Sequence, residues 1–397
     1  MRLSAYRRVD RSWKHPSNVR AFSPKCVFYR TPGVISALLI ESEQLLGVAP
    51  LHDDEIDYDK TDAFSHWNSD SDTPDSEPSV LDQIHISGSD FLQAKLKELC
   101  LEFEDIFCND LPSEPAKIPP FKLDVDVPKW RVPKNRTPPR PQSKEKQAEI
   151  VRQLDILVKQ GIIRVSQASH YSQVLMVPKP GGKWRMCVDF RALNDCTLDA
   201  SWPIPNIAEM LRRIGAQKCR IFGIMDLTQG YHQAPLDPAS CSYTAFILFN
   251  GVYEFTRLPF GPKRAPSYFQ EQMSTVVLAG LIYSICEIYI DDCNVFAQTD
   301  EEFVDRLRQI FTRFRKHNMF LKAQKCFFGY SEIDFVGKVL SEEGLKMSQL
   351  KIQSVLDFPI PVVSKQLKSF LGIFNYFRDF VRNASTIVKP LHGLIAD

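Results

Sequence analysis

The chain has 397 residues, 44% of them hydrophobic and 24% charged, with 49 Lys and Arg against 48 Asp and Glu. These proportions fit an ordinary globular protein and leave out collagen-like, coiled-coil and wholly disordered chains. No apolar run reaches the roughly 18 residues of a membrane span, and no apolar stretch directly follows the Arg-rich start, as a secretion signal would require. Ten cysteines without a C-x-x-C pair or zinc spacing read as reduced thiols. Charge is uneven: residues 1–40 carry 8 basic and 1 acidic, residues 41–110 carry 3 and 19, and residues 131–397 carry 35 and 25. The last, mildly basic block is compatible with a polyanionic partner.

Residues 1–88 read as a disordered, acidic linker, Ser-, Asp- and Pro-rich from Asp53 to Pro78. Residues 89–142 read as an N-terminal lead-in, with a short helix over Leu92–Phe107 and an extended Pro-rich span over Pro112–Pro141. From 143 onward the pattern becomes regular. A helix over Lys144–Gln160 presents Ile150, Val151, Leu154, Leu157 and Val158 on one face and ends at Gly161. Strands are expected over Val174–Val177 and Trp184–Phe190, around the turn Pro180-Gly181-Gly182. The second alternates, with Trp184, Met186, Val188 and Phe190 inward and Arg185, Cys187 and Asp189 outward. Pro205–Ile214 predicts a helix, Ile221–Met225 a strand, and Pro266–Ala279 a helix with Pro in its first turn. Ile285–Ile290 and Cys293–Phe296 predict two strands about a two-residue turn. Glu301–His317 predicts a helix with Phe303, Leu307, Ile310 and Phe314 inward, and Phe335–Leu340 a strand. The remainder reads as helical, with Ser348 and Ser364 as caps and the last helix running to about Arg382. The class is α+β followed by a helical tail.

Tyr289-Ile290-Asp291-Asp292 is the feature that carries chemistry. Two adjacent carboxylates at a hairpin tip repel each other unless a cation neutralises them. Magnesium suits such a site, because it takes oxygen ligands and binds through one or two carboxylates plus substrate phosphates. Alone, the tetrapeptide reads equally well as a solvated turn. Asp226, at the end of the apolar strand Ile221–Met225, is by itself a common strand-end cap. Beside the hairpin it becomes a third carboxylate able to bridge two metals about 4 Å apart, the arrangement used for in-line displacement.

In this order and spacing the sequence resembles the reverse transcriptases of gypsy-type LTR retrotransposons over about residues 95–397. The matching blocks are Gly161-Ile-Ile-Arg164, Trp184-Arg-Met-Cys-Val-Asp-Phe-Arg-Ala-Leu-Asn194, Met225-Asp-Leu-Thr-Gln-Gly-Tyr-His-Gln233, Leu258-Pro-Phe-Gly261 with Ala265-Pro266 and Phe269-Gln270, Tyr289-Ile-Asp-Asp292, Phe335-Val-Gly337, and Ser369-Phe-Leu-Gly372 with Asn375-Tyr376. The resemblance implies a right-hand polymerase of fingers and palm (143–345) and a truncated helical thumb (346–397). It implies Asp226, Asp291 and Asp292 as catalytic ligands of two Mg2+ ions, with Mn2+ as the alternative. Arg185 would clamp the incoming triphosphate, the alternative being a pairing with Asp189; Lys179 or Lys183 would supply a second cation. Tyr231 would lie beneath the sugar and exclude a 2′-hydroxyl, and Phe260 and Gly261 would floor the nucleotide pocket. Phe335 and Gly337 match the strand that grips the primer end, while Phe370, Phe374 and Phe377 read as thumb core.

The implied partners are an RNA or DNA template with its primer and deoxynucleoside triphosphates, with no membrane and an undetermined oligomeric state. The implied location is the cytoplasm, in retroelement particles, with the nucleus as the alternative. Pro262, Lys263 and Arg264 depart from the family pattern after Phe-Gly, and Cys293 and Asn294 after the aspartates. Asn294 in a strand needs a partner. No ribonuclease H segment, aspartic protease motif, zinc knuckle or integrase cluster is present, which reads as a piece of a longer polyprotein or a degraded copy. The expected activity is RNA-directed DNA synthesis; the alternative is an inactive nucleic-acid-binding relic of a retroelement.

Overall fold

The computed structural model describes residues 79–178, 184–198, 202–347 and 349–395. These fall into two compact units, one ending at Lys346 and the other beginning at Met347. In chain order the first comprises β1 (His85–Ile86), α1 (Asp90–Glu102), α2 (Lys144–Lys159), β2 (Ile163–Val165), β3 (Gln173–Pro178), β4 (Trp184–Asp189), α3 (Arg191–Cys196) and α4 (Ile207–Ala216). It continues with β5 (Ile221–Asp226), β6 (Phe246–Leu248), β7 (Gly251–Phe255), α5 (Ala265–Gln272), β8 (Cys286–Tyr289), β9 (Asp292–Ala297), α6 (Asp300–Lys316), β10 (Phe327–Tyr330), β11 (Glu332–Phe335), β12 (Lys338–Ser341) and β13 (Gly344–Met347).

The central sheet has the order β1-β10-β5-β9-β8, antiparallel except for the β1–β10 pair. β5 and β9 pair along their full length, from Ile221 opposite Ala297 to Asp226 opposite Asp292. Helix α6 packs against this sheet because Phe303, Leu307, Ile310 and Phe314 recur at helical spacing and are fully buried. Thr299 caps its start, acidic residues fill its first turn and basic ones its last, which matches the helix dipole. Gly223 lets helix and sheet meet, since a Cβ there would lie 2.9 Å from the Phe303 ring. Two further three-stranded sheets have the orders β2-β7-β6 and β11-β12-β13, and β3 and β4 form a hairpin. Gln153 of α2 holds that hairpin by donating to the Trp184 carbonyl and accepting from Met186 N–H.

Several expectations need correction. The expected disorder over residues 1–78 lies outside the described residues, but order begins earlier than 88. Ser79 caps a 3-10 turn over Val80–Gln83, and β1 adds to the central sheet. The lead-in is part of the core: Leu92, Leu96, Leu99, Phe103 and Ile106 are buried. Arg308 pairs with Glu102 and Arg315 with Asp105, fastening α1 and the turn after it to α6. The Pro-rich span is not uniformly extended, because Asp126 caps a helical turn over Val127–Trp130 and Pro133–Arg136 form a 3-10 turn. β4 stops at Asp189, and Phe190 is the residue that leads into α3 instead of continuing the strand. The helix expected over 266–279 is α5 followed by a π-helical turn, Met273–Val277.

The second unit contains α7 (Gln349–Leu356), α8 (Ser364–Phe377) and α9 (Ala384–Gly393). Leu367, Phe370, Leu371 and Phe374 pack with Ala384, Val388 and Leu391, and Phe377 is also buried. Ser364 is not the cap of α8. Val363 stands at the N-cap position without a side-chain cap bond, and the Gln366 side chain reaches back to accept from the N–H groups of Val362 and Val363. The helix ends at Phe377, short of Arg382. Ser348 lies outside the described residues.

Candidate active site

Strand β5 ends on Asp226, directly opposite Asp292, the first residue of β9. Such cross-strand partners hold their Cα atoms about 4.5–5.5 Å apart, so both carboxylates leave the same face. By alternation Phe222 and Phe296 share that face, where they pack with Ile333, Phe335 and Leu340. Tyr289 pairs with Asp292, which makes Ile290 and Asp291 the two-residue turn. The tip is therefore one residue earlier than the expected Asp291-Asp292. Ile290 has φ +60, a conformation that costs an L-residue roughly 1–2 kcal/mol and is normally given to Gly.

Gln270, on α5 and 1% exposed, holds this turn. Its Oε1 accepts from Ile290 N–H at 2.7 Å. Its Nε2 donates to the Ile288 carbonyl at 3.2 Å and to Ser274 Oγ at 3.0 Å. Gln233, equally buried, holds the chain beyond Asp226: it donates to the Thr228 and Phe320 carbonyls and accepts from Phe320 N–H. Lys322 N–H donates to the Asp226 carbonyl at 2.9 Å.

Electrostatics follow from the crowding. Burial pushes the Asp292 carboxyl up to about 6, helped by the charges of Asp291 and Asp226. Burial also raises Asp291, as does Asp226. Lys325 opposes both shifts, with its Nζ 2.5 Å from Asp226 Oδ2. Among the described residues no three His, Cys, Asp or Glu side chains form a preassembled metal cage. The donor set nonetheless fits a hard divalent cation, being oxygen-only and made of mutually repelling carboxylates; the Lys325 ammonium now paired with Asp226 would have to give way to it. The turn before Tyr231 runs close to the hairpin, a Cβ built at Gly230 lying in van der Waals contact with Asp291 Cβ at 3.4 Å.

Tyr231 contacts Phe260 at 4.9 Å between ring centroids and Phe269 at 5.3 Å. Burial lifts its hydroxyl to about 12, with Asp291 adding to the effect. Phe260 is 55% exposed. Gly261 has φ +112, and a Cβ there would lie 3.0 Å from the Phe190 ring. Asn194 fixes this loop by donating to the Gly261 carbonyl at 2.9 Å and accepting from Lys263 N–H at 2.8 Å. Of the unexpected cations here, Arg264 pairs with Asp124. Asn294 donates to the Gly223 carbonyl at 3.2 Å, while its buried Oδ1 has no partner among the described residues.

The structure thus joins Asp226, Asp291, Asp292, Tyr231, Phe260 and Gly261 through shared contacts. Arg185 is exposed on β4 opposite Val177. Asp189, its expected alternative partner, is held instead by Arg191 and Arg140. Lys179 and Lys183 lie outside the described residues. Phe335 is buried, 1% exposed, so its ring is core; Gly337 shares with Val336 a turn in which both have positive φ. The sequence reading assigned no role to Gln270, Gln233, Asn194 or Lys325.

A five-stranded sheet bearing opposed carboxylates and a carboxylate-tipped hairpin is the arrangement expected of a right-hand polymerase palm. Residues 177–373 match the reverse transcriptase (RNA-dependent DNA polymerase) family. Over that span the chain is similar to this family, and over about three fifths of its length it is similar to the Pol polyproteins of transposons 297 and gypsy. The Pol polyprotein of Drosophila melanogaster transposon 297 is 34% identical over 256 residues, 63% of this chain and 24% of that protein. Those of transposons opus and gypsy are 36% and 31% identical, over 62% and 60% of this chain and 25% and 23% of theirs. The chain thus spans about a quarter of these relatives. Foamy viral protease-reverse transcriptase shares the fold. Its complex with double-stranded DNA gives a TM-score of 0.70 at 24% identity, covering 80% of this chain and 54% of that one. The complex with an RNA/DNA hybrid gives 0.68 at 23%, covering 80% and 42%. Among the described residues no helix is long and apolar enough to cross a membrane.

Proposed function

We propose that this chain is an RNA-directed DNA polymerase that adds deoxynucleotides to a primer 3′ end on an RNA or DNA template. The observation that carries the reading is Asp226 opposite Asp292, with Asp291 in a strained turn clamped by Gln270. Asp226, Asp291 and Asp292 would hold two Mg2+ ions, with Mn2+ as the alternative. When bound, such ions activate a primer hydroxyl and neutralise charge on the departing pyrophosphate.

The chain's own residues position and select. Arg185, with Lys179 or Lys183, pairs the triphosphate oxygens, for which a planar guanidinium is well shaped. Tyr231, backed by Phe260 and Phe269, leaves no room for a ribose 2′-hydroxyl, the group that separates the two nucleotide classes. The Val336–Gly337 turn, anchored by buried Phe335, receives the primer strand. In this reading residues 143–345 are fingers and palm and 346–397 the thumb. Template binding weakens with salt as Lys and Arg replace condensed counterions. Synthesis takes place in the cytoplasm, inside element particles. Primer extension on RNA and DNA templates, with deoxynucleotides or ribonucleotides, tests the reading. Extension of both templates with deoxynucleotides is expected, and Tyr231→Val narrows the preference by roughly ten-fold or more. Equal use of ribonucleotides by the parent chain refutes it.

A further inference from the structure

His232 takes no part in the chemistry above, yet it is 8% exposed and sits among the residues that shape the nucleotide floor. Its Nδ1 lies 3.0 Å from the Leu258 carbonyl oxygen, an acceptor, so Nδ1 carries the proton and donates. Its ring stands edge-on to Phe260, with centroids 5.2 Å apart and planes at 83°, and nearly parallel to Phe255 at 6.0 Å. Phe260 therefore meets two consecutive residues of one helical turn, Tyr231 and His232. The backbone closes the same loop. Leu258 N–H donates to the Ala234 carbonyl at 3.0 Å. The buried Arg257 donates to the His232 carbonyl at 3.2 Å and to the Pro112 carbonyl at 2.7 Å. Phe260 itself is 55% exposed, so few other groups locate its ring.

We infer that His232 is a positioning residue for nucleotide selection: by tethering Leu258 and bracing Phe260 it fixes the gap between Phe260 and Tyr231, and with it the strength with which ribose is refused. The inference rests on the polymerase reading and on Tyr231 as the residue beneath the sugar. Burial pushes the imidazole down to about 4, against the pull of the Leu258 carbonyl and with the nearby Arg257 charge. The ring is thus neutral, in a single tautomer, at neutral pH.

Two variants separate the tether from the brace. His232→Phe keeps a ring against Phe260 and loses the donor, leaving the Leu258 carbonyl unpaired. His232→Asn keeps an amide donor and loses the ring edge. Folding is checked by circular dichroism and thermal melting. The readout is single-nucleotide extension, with kcat and KM measured separately for deoxynucleotide and ribonucleotide. His232→Phe is expected to lower the deoxy-over-ribo preference about ten-fold, equivalent to one buried hydrogen bond, chiefly through a lower ribonucleotide KM. His232→Asn is expected to lower it roughly three-fold, the scale of one aromatic contact. Parental selectivity in either folded variant, with the parent active, overturns the inference and leaves the polymerase reading standing. A parent chain that extends no primer overturns that reading and this inference with it.

Discussion

Replacing Gln270 by Met tests whether the strained hairpin is held from outside or holds itself. The two side chains have similar volume, so the change leaves little cavity and acts through polar groups. Ile290 N–H loses its 2.7 Å acceptor, and the Ile288 carbonyl and Ser274 lose a donor. An unsatisfied, partly buried N–H costs about 1–3 kcal/mol, and a lost neutral bond about 1 kcal/mol. Relaxation of Ile290 out of φ +60 returns roughly 1–2 kcal/mol but moves Asp291 away from Asp226 and Asp292. The expected net destabilisation is about 2 kcal/mol by urea unfolding. In primer extension kcat should fall ten-fold or more with a smaller change in nucleotide KM. Gln270→Glu keeps the acceptor for Ile290 but buries a carboxylate against the Ile288 carbonyl, so it should be destabilised as well. A Met variant within about 0.5 kcal/mol of the parent, the scatter of neutral surface changes, with full kcat would show that the turn needs no clamp and refute the reasoning.

Two further outcomes follow from the burial and the charges. Asp292 has a folded pKa of about 6, above its unfolded value, so its ionisation opposes folding. That stability is present below about pH 4 and lost as pH rises through 6. Without divalent metal, Asp292→Asn should therefore be more stable than the parent at pH 7, by an amount of the order of 2 kcal/mol, and equal to it near pH 4, by urea unfolding in chelator. Removing residues 79–143 takes away Leu92, Leu96, Leu99, Phe103 and Ile106, all buried. At about 1.5–3 kcal/mol each the loss rivals the net stability of a domain, and the shortened chain should show no cooperative unfolding in circular dichroism.

The carboxylates were legible because strand ends and alternating strands announce themselves locally. Asp226 closes an apolar run, and Tyr289-Ile290-Asp291-Asp292 sits between two others. The buried face of α6 was legible for the same reason, its aromatic residues recurring at helical spacing. What was not legible lies in long-range polar pairing. Gln270 reaches backbone about twenty residues away, Gln233 reaches Phe320, and Lys325 reaches Asp226 across 99 residues. No local pattern marks a glutamine that will bind a distant carbonyl. The misplaced hairpin tip has the same origin, since the positive-φ turn at Ile290 is held by Gln270 from another element. The Pro-rich lead-in misled in another way: its composition suggested extended chain, while Ile118, Phe121, Leu123 and Trp130 were buried within it.

The most direct measurement compares the parent chain with Asp291→Asn in single-turnover extension of a DNA primer on an RNA template, with Mg2+ and deoxynucleotides. The parent should extend the primer. The variant should keep duplex affinity and lose extension by at least a hundred-fold, the scale of removing one preorganised charge-stabilising group. Extension by the variant at the parental rate would contradict the assignment of chemistry to this hairpin.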